Sequence, residues 1–141
     1  MDLKKFVTGS VVGGIAFFFL GYLFYGVLLA GFYSEHSGAA AGTARGMEDI
    51  VWWALILGNV SSGALLSYIF LKWANISSFG GGASAGATIG FFIGLSMDLI
   101  RFATAGMFDL TASLGDVVVM TVMYGVAGGI IGAALGMGKK G

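Results

Sequence analysis

Asp98 and Arg101 stand three residues apart in a stretch that is otherwise apolar, from about 83 to 108. On a helix, an acid and a base at that spacing are neighbours on one face. They can neutralise each other, or together hold a proton, an ion, a polar ligand or a lipid headgroup. With the stretch centred near Gly94, Asp98 lies ~6 Å and Arg101 ~10 Å towards its outer end, at 1.5 Å rise per residue. A carboxylate at that depth is costly against lipid and is expected to face protein or a polar site. The long arginine stem lets its head snorkel outwards. Asn59, near the middle of another apolar stretch, matches this depth. Its amide serves as interhelical glue worth ~0.6–2 kcal/mol, or as a ligand contact. Tyr124 is placed with it, with Ser61, Ser62, Ser96 and Thr121 at comparable depth. Asp98, Arg101, Asn59 and Tyr124 are therefore expected to form one intramembrane polar site, on depth alone.

Other chemistry finds little purchase. The chain has no cysteine, so disulfides, thiolate metal sites and thiol nucleophiles are excluded. His36 is the single histidine. One histidine without cysteine makes neither a zinc site nor a supported haem site, and His36 is expected to be a solvated loop residue. No serine is accompanied by a histidine and an acid in a triad-like arrangement. Gly80-Gly81-Gly82 lacks the Lys-Ser/Thr ending of a phosphate loop. No enzyme, metal or cofactor is predicted. Formal net charge is zero, and no basic stretch suggests a nucleic-acid surface.

The elements that position these residues are membrane helices. The 141-residue chain is 57% hydrophobic and only 10% charged, with a mean hydropathy of +0.93, whereas soluble domains carry roughly 25% charged residues. Four apolar segments span about 6–33, 50–73, 83–108 and 117–137. Each reaches the ~20 residues needed to cross a ~30 Å hydrocarbon layer. The first is too long for a signal-peptide core of ~7–15 residues, and is expected to be a tilted span. The predicted fold is one all-α, four-span domain. Lys4, Lys5, Lys72, Lys139 and Lys140 all fall on one side of such a topology. The positive-inside rule makes that side cytoplasmic and places both termini there. Glu35, Glu48, Asp49, Asp109 and Asp116 are assigned to the outer loops, and Trp52, Trp53, Trp73, Tyr33 and Phe108 to the interfaces.

Gly82, Gly86, Gly90 and Gly94 recur every fourth residue, and the next step of that ladder is Asp98. Gly125, Gly128, Gly132 and Gly136 give the last segment similar bare faces. Small residues at this spacing let helices approach closely in lipid. These faces exceed what one hairpin contact requires, so one is expected to meet a partner: a second copy or another membrane subunit. An internal duplication is also legible. Asp49-Ile50-Val51 superposes on Asp116-Val117-Val118, carrying Gly58 onto Gly125 and Lys72 onto Lys139. Ile15-Ala16-Phe17-Phe18 likewise superposes on Ile89-Gly90-Phe91-Phe92. Two tandem hairpins related by a pseudo-two-fold axis along the membrane normal would follow.

The stretch Gly21-Tyr22-Leu23-Phe24-Tyr25-Gly26, followed by Phe32, Tyr33 and a short polar outer loop, resembles small bacterial four-helix membrane proteins of the unknown-function type. The resemblance implies a bacterial inner-membrane location and transfers no catalytic residue. The four-span layout is also that of small multidrug transporters. Those depend on an acid in the first span, where this chain has no charge between Phe6 and Tyr33. The expected role is a non-enzymatic membrane protein that associates with itself or with a larger membrane complex. The alternative is a small transporter or channel using Asp98 and Arg101, as a homodimer.

Overall fold

The computed structural model describes residues 1–138. Lys139 and Lys140, two of the five lysines used for orientation, lie outside the described residues. Five α-helices follow in order: α1 (Leu3–Gly21), α2 (Ala30–Glu35), α3 (Trp52–Ile69), α4 (Phe79–Thr104) and α5 (Leu110–Gly136). Wider π-helical turns at Tyr22–Leu28 and Phe70–Ala74 extend α1 and α3. The described residues contain no strand. Four helices, Leu3–Leu28, Trp52–Ala74, Phe79–Thr104 and Leu110–Gly136, are long and apolar enough to cross a membrane. This is an all-α architecture that fits a multi-pass membrane protein.

Local chemistry moves several boundaries away from those read by hydropathy. Ser78 caps α4 by accepting the Gly81 N–H at 3.1 Å, so Gly80-Gly81-Gly82 forms a first helical turn. Asp109 caps α5 by accepting the Ala112 N–H at 2.8 Å. That helix starts seven residues before the expected 117, and Asp116 is carried from a loop into a helix. The first span ends at Leu28 rather than near 33. Leu29 leaves helical geometry, and α2 begins as a separate short helix. Asn75, in the left-handed region with φ 52°, closes the extension of α3; asparagine tolerates that conformation better than most residues.

Two antiparallel hairpins carry the packing. In the α4–α5 hairpin each four-residue step along α4 meets a partner about four residues back along α5. A methyl group on Gly82 would overlap the Gly128 carbonyl, one on Gly86 the Tyr124 carbonyl, and one on Gly90 the Tyr124 side chain. Gly94 lies against Met120 and Val117. On α5, Gly125 faces Ala87, while Gly132 and Gly136 approach the Ser78 and Ser77 carbonyls. All eight predicted packing glycines are therefore used in this one hairpin, and the expected spare glycine face is consumed inside the chain. The α1–α3 hairpin has a shorter seam of the same kind, with Gly13 and Gly14 against Gly63 and Val60.

The hairpins meet chiefly along α1 and α5, with α3 also touching α5. There larger side chains interlock: Phe17, Leu66, Phe70, Met123, Tyr124, Ile131 and Leu135 form one buried cluster. The helices thus run in the order α3, α1, α5, α4, with α4 packed chiefly on α5 and α3 chiefly on α1. A pseudo-two-fold relation would match the α1–α5 contact with an equal α3–α4 contact. The latter is marginal at most, so the hairpins share a seam type without a symmetric arrangement. The exterior carries apolar side chains such as Phe19, Leu57, Phe92 and Val118. Polar groups on the outer helices bond back to their own helix, as from Ser61 to the Leu57 carbonyl and Thr88 to the Ser84 carbonyl. This is what a medium without water demands. Trp52, Trp53 and Trp73 are exposed as expected for interface residues.

Candidate functional site

Asp98 lies six residues before the end of α4, and Asp116 six residues after the start of α5. At 1.5 Å per residue both sit about 9 Å inside their helix ends, and because the hairpin is antiparallel they meet at one level. Both line a cavity of about 470 Å³ at the end of the molecule that carries the α2–α3 and α4–α5 loops. Asp98 continues the glycine ladder and is only 5% exposed. Its Oδ1 lies 3.5 Å from Arg101 Nη1, while the Arg101 side chain is half exposed. Its Oδ2 is buried and, among the described residues, receives no assigned hydrogen bond. The Asp116 carboxyl lies within hydrogen-bonding reach of Asp98, a contact that needs a proton held between the two carboxyls.

Asp116 is held from the other side. The hydroxyls of Tyr25 and Tyr33 both donate to its Oδ1, each at 2.6 Å, within the short range of bonds to an ionised acceptor. The register change in the π-helical turns re-aims Tyr25 relative to the buried face of α1. The break at Leu29 lets α2 bring Tyr33 to the same oxygen. Tyr33 is buried, with Phe108 edge-on at 5.3 Å between ring centroids. Tyr33 is thus a site residue rather than the interface anchor expected of it. Burial, then its hydrogen bond to Asp116, hold its phenol well above the ordinary range, so it remains a donor.

The mouth is built from loops. Gly38 N–H donates to the Met107 carbonyl at 2.8 Å and Ala40 N–H to the Gly106 carbonyl at 2.6 Å. A methyl group on Gly38 would overlap that Gly106 carbonyl. His36 Nδ1 lies 2.8 Å from Asp109 Oδ2, so His36 is tied to Asp109 rather than simply solvated. Arg45, whose Nη1 donates to the Asp49 carbonyl at 3.4 Å, lines the mouth with Arg101.

The Ala112 N–H, and next to it His36, pull the Asp109 carboxyl below its ordinary value. A carboxyl depressed in the folded state contributes stability above its unfolded value, near 3.9, and loses it as pH falls through the folded value. The Ala112 amide resonance is therefore expected to stay unchanged from neutrality down to about pH 4 and to shift only below it. Asp109→Asn, which keeps a capping oxygen, is expected to abolish that shift. A midpoint at or above the ordinary aspartate value would contradict the capping role.

Of the four predicted polar-site residues, the structure brings Asp98 and Arg101 together and leaves out the other two. Asn59 lines a separate apolar groove between α1 and α3, where its Nδ2 donates to the Leu55 carbonyl at 2.8 Å. Depth matched it to Asp98, but its helix lies at the far edge of the row. Tyr124 lies two turns further along α5 than Asp116, buried edge-on against Phe17, where it belongs to the core. Asp116, Tyr25, Tyr33 and Arg45 are the site residues that sequence reading missed. For Asp116 a signal existed: Asp109 ahead of an apolar run is a helix-start residue. Among the described residues no group of three metal-ligating side chains occurs. No family model, curated protein or solved structure matches the chain.

Proposed function

We propose that this chain is a non-enzymatic, multi-pass protein of a bacterial inner membrane that binds and carries a small polar solute through the Asp98–Asp116 cavity. The observation that carries this reading is Asp98 itself: an almost fully buried carboxyl group on a span, with one oxygen lacking a donor among the described residues, at the wall of a cavity of about 470 Å³. Intramembrane ionisable groups turned towards a cavity mark solute and ion pathways. Lys4, Lys5 and Lys72 lie at the end opposite the cavity. The positive-inside rule then puts both termini in the cytoplasm and the mouth outside.

The hairpin mechanics support movement. Each hairpin is locked by glycine-backbone contact, whereas at the α1–α5 seam Gly9 and Gly13 meet only the side chains of Leu135 and Ile131 on α5, which can slide and repack. Rocking there would open the cavity to the opposite face, the usual logic of alternating access. The uncovered flanks of α3 and α4 favour assembly, as a homodimer or beside another membrane subunit.

The absence of native cysteine makes the test clean. Ser113→Cys, on the cavity wall, is expected to react with a membrane-impermeant maleimide in right-side-out vesicles and, more slowly, in inverted ones. Reaction from one side alone would rule out carriage, and no reaction from either side would rule out a water-filled site.

A further inference from the structure

The charges of the cavity are segregated along its axis. The two carboxylates lie deep, at about 9 Å inside the helix ends, while Arg101, three residues from the end of α4, is only about 4.5 Å inside. Arg45 comes from the loop beyond. The formal charges of Asp98, Asp116, Arg45 and Arg101 cancel. A simple cation would meet two guanidinium groups at the entrance, and a simple anion two carboxylates at the floor. The walls between them are aromatic, from Tyr25, Tyr33, Phe102 and Phe108. The volume falls in the range of small-molecule sites.

We infer that the cavity is a binding site for a small zwitterion of the α-amino-acid class, with its ammonium group at Asp98 and Asp116 and its carboxylate at Arg45 and Arg101. The inference rests on the proposed solute-binding role of this cavity and names its ligand class. An ammonium group supplies three donors and meets the need of Asp98 Oδ2, the buried oxygen without a partner. It also lies between two facing carboxyl groups whose present partners, Arg101 and the two tyrosine hydroxyls, each reach only one oxygen, Asp98 Oδ1 and Asp116 Oδ1. Asp116 has its Oδ1 occupied by two tyrosine hydroxyls, which fix its carboxyl in place beside Asp98. Among the described residues, Arg101 has a single long side-chain contact, at 3.5 Å, to Asp98. Its planar fork is suited to take a ligand carboxylate in two parallel bonds. An apolar ligand side chain would rest against Phe102 and Phe108.

The test compares three probes on the purified protein in lipid nanodiscs by isothermal titration calorimetry: L-leucine, 3-methylbutylamine and 4-methylpentanoate. The second lacks only the carboxylate and the third only the ammonium group. L-Leucine is expected to bind at least tenfold more tightly than either. Arg101→Ala is expected to erase its advantage over the amine, and Asp98→Asn its advantage over the carboxylate. The amine equalling leucine would make this an organic-cation site, the carboxylate equalling it an anion site, and no binding by leucine would overturn the inference outright. The titrations of the three probes use the unaltered chain, so a misfolded variant cannot rescue the idea. Two-sided labelling at position 113 without leucine binding would sink the ligand class alone. Leucine binding with one-sided labelling would sink carriage alone.

Discussion

Gly86→Ala is expected to lower the thermal midpoint of the detergent-solubilised protein sharply, while Gly58→Ala leaves it unchanged or raises it. Both glycines sit inside long apolar helices, but only Gly86 belongs to the four-residue ladder. A methyl group at Gly86 would overlap the backbone carbonyl of Tyr124 and crowd Gly128. A backbone carbonyl has no rotamer by which to yield, so α4 and α5 must separate along their length. Overpacking of this kind typically costs about 1–3 kcal/mol. The loss weighs more here, because helices in lipid hold together by van der Waals contact and hydrogen bonds rather than by expulsion of water. At Gly58 nothing lies within 4 Å of the added carbon, and alanine gains up to about 1 kcal/mol of helix propensity. Equal midpoints for the two variants would mean that the α4–α5 seam is not the tight contact described.

Asp116→Leu is expected to be the most damaging change in the cavity, and Asp116→Asn a much milder one. Leucine removes the acceptor of both tyrosine hydroxyls. Tyr33 is 8% exposed, and a buried hydroxyl left without a partner costs about 1–3 kcal/mol. Asparagine keeps an acceptor oxygen in the same place and so keeps α2 tethered to α5. Thermal midpoints of the two variants, together with the tyrosine hydroxyl resonances, read this directly. If leucine and asparagine destabilise equally, the tether contributes nothing, and the position of α2 rests on Phe108 and the loop bridge instead.

The residues divide according to what acts on them. Asp98 and Arg101 could be paired from sequence because both lie on one helix, where three residues fix their neighbourhood. The ladder from Gly82 to Gly94 was legible for the same reason. Its partner was not, since a bare stripe says that something comes close and not which helix does. Asn59 and Tyr124 show the limit of depth as a guide: Asn59 lies in a separate groove between α1 and α3, and Tyr124 lies two turns along α5 from the level of Asp98 and Asp116. Tyr25 and Tyr33 reach Asp116 through π-helical turns and a break at Leu29, neither of which leaves a mark in hydropathy.

Composition and apolar run length by themselves determined an all-helical chain with four helices able to cross a membrane, because in hydrocarbon each span must satisfy its own backbone hydrogen bonds. They also determined that Asp98 needs compensation, since burial of a charge is costly whatever surrounds it. Only the tertiary structure decided what compensates it. It set the order α3, α1, α5, α4, spent both glycine faces on one hairpin, kept Arg101 on Asp98, and added a second acid, Asp116, held by two tyrosines, with Arg45 on the same cavity. The physical reason is that lateral packing among apolar helices rests on the fit of particular side chains and backbone, which the average polarity of a segment does not encode.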